Sequence, residues 1–151
     1  MSRVDFYHLQ NQTLENVLPK LLEKAYETGK KVKIKIGNEE RVEFINTFLW
    51  TFDEQSFIPH GSRKDGFGEM QPIWLSTADD NPNEATLLFL VDGAKVDLDI
   101  LLQYERVFNI FDGNSETAVN EARTFWKELK NAGEEIYYWQ QDDSGRWKQK
   151  A

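Results

Sequence analysis

The sequence contains no cysteine, which removes disulfides, thiolate zinc sites and cysteine nucleophiles and leads us to expect a reducing compartment, the cytoplasm. Histidine is nearly absent too. His8 and His60 are the only two and neither has an i+4 partner, so a His-rich metal site cannot be assembled. There is no G-x-x-x-x-G-K-[ST] phosphate loop and no G-x-S-x-G nucleophile elbow. The opening MSRVDFYHLQ lacks an apolar h-region and a small-residue cleavage site, so no secretory signal is expected. No apolar run approaches the ~18 residues of a membrane span. Positive charge is scarce: 18 Lys and Arg face 26 Asp and Glu, a net charge of −8. That balance opposes duplex DNA as a primary partner, because affinity for phosphate comes mostly from counterion release by clustered cations.

What is present suits one ordinary globular domain spanning residues 1–151. The chain is 40% apolar and 29% charged, with no linker, repeat or low-complexity tract. A chain of this length can bury roughly 70% of its unfolded surface around one core.

VDFYHL, residues 4–9, alternates as a first strand. From Thr13, apolar residues recur at helical spacing from Leu14 to Tyr26, with Gly29 as the stop. Pro19 removes a backbone bond, so the regular helix is expected to begin near Asn16. In KKVKIKIG, Val32, Ile34 and Ile36 alternate with Lys31, Lys33 and Lys35, the pattern of a half-buried strand with its lysines in solvent. Asn38 caps a helix whose buried face is Val42, Ile45, Phe48 and Leu49. PIWLST, TLLFLVDG and YERVFNIFDG read as further buried strands. Ser115 caps a long helix that Gly133 ends, and IYYWQQDDSGRWKQ closes the chain as a strand and hairpin. Strands separated by helices imply an α/β sheet, largely parallel and mixed at its C-terminal end, with helices on both faces.

Signs of catalysis are few. Asp92 ends an apolar strand as the metal-holding residue of a nucleotide hydrolase would, but without a phosphate loop Asp92-Gly93 reads as a turn. Gly66-Phe67-Gly68 lacks the third glycine of a dinucleotide fingerprint. No metal or cofactor is called for.

Two other features are more informative. On the long C-terminal helix, Ala118, Ala122, Phe125 and Leu129 form the core stripe, and Arg123, Trp126, Lys127 and Lys130 form a second stripe on its flank. This second stripe is either a solvated face suited to the end of a helix dipole or a docking site for an acidic, aromatic-bearing peptide. The segment LWTFDEQSFIPHG carries core-sized aromatics in a loop-like composition. Either Trp50 ends a helix in the core and Phe57 enters a strand, or the pair anchors a partner.

Taken in order, LEKAYETGKKVKI, LWTFDEQSFIPHG, YERVFNIFDGN, ARTFWKELKNAG and YYWQQDDSGRW resemble the chi subunit family of bacterial DNA polymerase III over essentially the whole chain. The TGKKV and L-W…S-F-I-P-H elements are the most specific. The resemblance implies a three-layer α/β/α fold and a non-catalytic accessory protein of the clamp-loader assembly. It further implies two binding surfaces, one for the psi subunit or a helicase and one for the C-terminal tail of single-stranded-DNA-binding protein.

By that resemblance Trp50 and Phe57, with Pro59 beside them, line the psi-type surface, and Arg123, with Phe111 and Trp126, lines the tail-binding surface. Lys127 and Lys130 join the latter by their place on the helical face. The tail ends in acidic residues, proline and phenylalanine with a free carboxylate, so its site needs an apolar slot and cations. A family lysine one turn before the arginine is replaced here by Val119 or Asn120. Single-stranded DNA is expected to be contacted only weakly or indirectly, and the alternative is a nucleotide-binding enzyme using Asp92 or the loop at Gly66.

Overall fold

The computed structural model describes residues 2–52 and 58–151. Among the described residues eight strands form one sheet in the order β3-β4-β2-β5-β6-β1-β7-β8. They are β1 (Arg3–Leu9), β2 (Val32–Ile36), β3 (Gly61–Ser62), β4 (Ile73–Ser76), β5 (Leu87–Val91), β6 (Arg106–Asp112), β7 (Glu135–Gln141) and β8 (Trp147–Gln149). Every neighbouring pair is parallel except β7 with β8, the antiparallel hairpin at the C-terminal edge. The described residues also form four α-helices, α1 (Leu14–Glu27), α2 (Glu39–Thr51), α3 (Leu98–Leu101) and α4 (Glu116–Asn131), which cover the sheet.

Two cores follow from the strand period of two. On one face Val32, Ile34, Ile36, Phe89 and Ile110 pack with Leu18, Leu22, Ile45 and Leu49 of α1 and α2. On the other, Val4, Phe6, Leu88 and Val107 pack with Leu101 of α3 and Ala122 and Leu129 of α4. The chain is therefore a three-layer α/β/α sandwich with a mostly parallel, mixed sheet.

The helix signals act as the sequence implied. Asn38 Oδ1 accepts from the backbone N–H of Arg41 at 2.9 Å, and Ser115 Oγ accepts from that of Ala118 at 3.2 Å. Gly29 and Gly133 follow their helices at φ +79° and +77°, the left-handed region where a side chain is disfavoured. Pro19 does not delay α1, which starts at Leu14; the ring is buried, and only the bond its nitrogen would have given to Glu15 is lost.

Of the three lysines on the polar side of β2, Lys31 is exposed as expected, Lys35 is partly covered and Lys33 is buried. Lys33 is 1% exposed, because the connection from β4 to β5 folds over that side of the sheet. Its Nζ donates to Ser76 Oγ at 2.5 Å, to the carbonyls of Ala78 and Asp80 at 2.9 and 2.6 Å, and to Asp80 Oδ1 at 2.7 Å. Burial, the leading influence, pushes the Lys33 pKa down against the pull of Asp80.

Candidate partner-binding surfaces

Arg123 lies on the flank of α4 that overhangs β1 and β7. The inward positions of those strands on this face are Phe6 and His8 on β1, paired in register with Tyr138 and Gln140 on β7. His8 is also opposite Phe111 on β6. The rings of His8 and Phe111 are 5.1 Å apart, and Tyr138 stands 5.8 Å from His8 and 6.1 Å from Phe111. The charge of Arg123 reaches both His8 and Tyr138, and burial followed by Arg123 lowers the His8 pKa. Arg123, Lys127 and Lys130 are exposed, and the one ion pair of α4 among the described residues joins Glu121 to Lys95. The arrangement is a cation with free donors beside a closely packed aromatic base.

Trp126 turns inward from the cationic stripe. It is partly buried, with its ring 5.3 Å from Phe6 and 5.9 Å from Tyr138, both edge-on. Phe111 is 8% exposed, so both aromatics form the floor of this flank rather than projections from it. The sequence reading overlooked His8 and Tyr138. Alternation sets His8 on the face of Phe6 and Tyr138 on that of Ile136, residues that the structure places in or against the core, and this period is the available signal.

Trp50 is the penultimate residue of α2 and is 44% exposed. Its neighbour Leu49 is 1% exposed, so the helix end divides sharply between core and surface. The Trp50 ring stacks on His60 with centroids 4.1 Å apart. His60, 2% exposed, is fixed by the carbonyls of Ile58 at 2.5 Å and Asn46 at 2.8 Å. Pro59 lies between, partly buried, while Phe57 falls outside the described residues. Phe44, one helical face away, is 49% exposed with the Arg41 guanidinium 4.6 Å from its ring centre.

A third feature is the crevice at the carboxyl ends of the strands, about 1280 Å³, lined by Glu15, Arg41, Asp92, Asp112 and Glu121 among others. It lies where sheets of this kind commonly bind ligands. Arg41 is held there by Glu15 at 2.6 Å and Asp92 at 3.0 Å, so its charge is already matched. Asp92 sits at φ +53° in a turn closed by Ala94 N–H donating to the Val91 carbonyl, as the Asp-Gly dipeptide implied. Gly66, at φ +71°, closes a turn onto the Ser62 carbonyl. Among the described residues no three His, Cys, Asp or Glu side chains gather as they would around a metal ion, and no helix is long and apolar enough to cross a membrane.

Comparison with known proteins agrees with this architecture. A protein of Rickettsia prowazekii (strain Madrid E) named as a probable DNA polymerase III subunit chi is 31% identical over 111 residues, which cover 74% of this chain and 66% of that relative. The chain thus spans just under two thirds of the relative's length. The family model for the DNA polymerase III chi subunit, HolC, matches residues 1–137. With nearly its whole length matched, the chain belongs to the DNA polymerase III chi subunit family.

Proposed function

We propose that this chain is a non-catalytic accessory subunit of the bacterial DNA polymerase III holoenzyme, acting in the cytoplasm. It bridges the clamp loader, through a psi-type subunit, to the acidic C-terminal tail of single-stranded-DNA-binding protein. The observation that carries the reading is Arg123, an exposed guanidinium beside the Phe111, Tyr138 and Trp126 floor. A guanidinium binds a carboxylate in a two-pronged fashion, and the aromatic floor suits the terminal phenylalanine of such a tail. Lys127 and Lys130 extend the cationic stripe along α4 and stand in for the missing family lysine at Val119 or Asn120.

Trp50 and Pro59, with Phe57, supply the second surface. A half-exposed indole braced on a buried imidazole is already ordered, so a psi-type subunit or a helicase gains area there at small entropic cost. Single-stranded DNA is reached through the bound tail.

The test is an anisotropy titration of a fluorescent peptide copying the host tail. Native protein binds it, and Arg123→Ala loses most of the affinity while keeping its fold. Equal binding by both proteins sinks the site assignment. The crevice favours a second reading, a nucleotide-binding enzyme, by its size and position alone. Seven carboxylates against three cations line it, which repels a phosphate chain. A thermal shift with ATP and Mg²⁺ would revive that reading.

A further inference from the structure

The two flanks of α4 meet different neighbours. Glu121 reaches Lys95 in the β5–α3 connection, whereas Trp126 leans the other way and meets Tyr138 of β7 at 5.9 Å. Residues three and four apart lie on one side of a helix, so Arg123, Lys127 and Lys130 share the Trp126 side and look toward the C-terminal hairpin. Strands β6 and β7 both run parallel to β1, so the helix between them runs the opposite way. Trp126 stands over the Phe6–Tyr138 pair. Arg123 lies one turn earlier, about 5.4 Å along the helix, which brings it level with the next pair on that face, His8 and Gln140, about 6.6 Å along the strands.

Strand β8 continues that row beyond β7. Antiparallel pairing sets Lys148 opposite Gln140, and residues opposite one another share a face. Its neighbour Trp147 turns to the other face, where it packs against the α1–α2 core. Lys150 returns to the α4 side by the same alternation, with its N–H donating to the Tyr138 carbonyl at 2.7 Å. Tyr138 and Gln140, both partly exposed, are thus a strip of sheet between Arg123 and Lys127 on one side and Lys148 and Lys150 on the other. Lys148 and Lys150 are exposed, and the one ion pair of β8 among the described residues joins Lys148 to Asp142 at 3.9 Å, beyond hydrogen-bond reach. Both lysines follow residue 137, the last that the family model matches. In a chain of net charge −8, this concentration of cations reverses the local field.

We propose that Lys148 and Lys150 bind acidic side chains of the peptide whose terminal carboxylate Arg123 holds, so that the peptide crosses the Tyr138–Gln140 strip and leaves over β8. This rests on the reading of that surface as the tail-binding site. Strand β8 lies about 4.8 Å beyond β7, a step that two extended residues cover at about 3.3 Å each. The lysines act as mobile point charges in solvent, so their share of the affinity is smaller than that of the forked guanidinium and more sensitive to salt. They take the side chains that precede the terminus, not the terminus itself, and that separates their role from the role of Arg123.

The experiment is an anisotropy titration at ~0.15 M salt with two fluorescent peptides, the host tail and a version with its acidic side chains changed to amides and its terminal carboxylate kept. The proteins are native, Lys148→Gln/Lys150→Gln, and Lys20→Gln/Lys24→Gln, which removes equal charge from exposed positions of α1 in the opposite layer. The β8 pair should weaken the acidic peptide by about fivefold, and the α1 pair by less than about twofold. The amide peptide should bind native protein and the β8 pair equally. Should the β8 pair melt early, the backbone NMR shifts of Lys148 and Lys150 in native protein read the same contact: they should move more with the acidic peptide than with the amide one. A β8 pair that binds the acidic peptide as tightly as native, an α1 pair that loses as much, an amide peptide weakened by the same factor, or equal shifts with both peptides each overturns the assignment of Lys148 and Lys150 while leaving the Arg123 site intact. No binding of the acidic peptide by native protein overturns both.

Discussion

Lys33 and Arg123 each stand on a face that the sequence presents as a row of cations, and the fold treats them in opposite ways. Lys33 is sealed beneath the β4–β5 connection with four acceptors on its amine, while Arg123 keeps its donors for solvent or a partner. What decides the role of a cation here is the segment that covers it. A buried, fully bonded amine holds structure together, and an exposed guanidinium on an aromatic floor is available for recognition.

The largest effect expected from that contrast is on stability. Lys33→Met leaves two carbonyls and the partly exposed Asp80 carboxylate without their donor, and the loss of these charge-assisted bonds should cost about 3 kcal/mol. Arg123→Ala should lie within about 0.5 kcal/mol of native. Urea denaturation of the two variants checks both. A Lys33→Met protein as stable as Arg123→Ala would mean that the β4–β5 connection does not depend on the amine.

The same division between core and surface runs through two consecutive residues of α2. Leu49→Ala opens a cavity in the core shared by α1, α2 and the sheet and should cost about 3 kcal/mol. Trp50→Ala gives up the stack on His60, worth about 1 kcal/mol, and should act mainly by weakening binding of the proposed psi-type subunit. Denaturation curves paired with a psi pull-down separate the two. A Trp50→Ala loss as large as that of Leu49→Ala would return the indole to the core.

The parts legible in the sequence were those governed by local pattern. The Asn38 and Ser115 caps, the Gly29 and Gly133 stops and the apolar strands follow from backbone chemistry within a few residues. The parts missed depend on distant segments. Strict Val-Lys alternation in β2 is the same whether the lysine side meets water or the 77–85 connection, so nothing local marked Lys33 as buried. β3 has two residues and α3 four, too short for any period to emerge. At the candidate site the sequence supplied Arg123 and its stripe. His8 and Tyr138 join it only through the parallel pairing of β1 with β6 and β7, strands separated by the rest of the chain.

Acid should act on the buried side of the comparison first. Partial burial opposes ionisation of Asp80, but bonds from Lys33, Ser76 and Trp74 outweigh it and hold the carboxyl at about 2. The folded value lies below the ordinary 3.8, so the unfolded chain binds the proton more readily. The stability this group contributes is present above that ordinary value and is lost as pH falls toward 2. Thermal melts across this range should show a smaller decline for Asp80→Asn than for native protein, from a lower starting point. Parallel declines would mean that the carboxylate contributes nothing to holding the connection over Lys33.

The smallest effects belong to the exposed side. Lys127 and Lys130 are exposed on the α4 face with Arg123, where a charge pair with the proposed tail would be worth up to about 1 kcal/mol. Lys127→Ala and Lys130→Ala should each weaken the tail peptide by roughly twofold at ~0.15 M salt and leave the melting temperature unchanged. Raising the salt should erase those differences before it erases the difference between native protein and Arg123→Ala, because a guanidinium forked onto a carboxylate is screened less than a lysine acting across water. If either lysine variant instead loses as much affinity as Arg123→Ala, the peptide runs along the helix rather than ending at the aromatic floor, and the recognition site is the whole stripe.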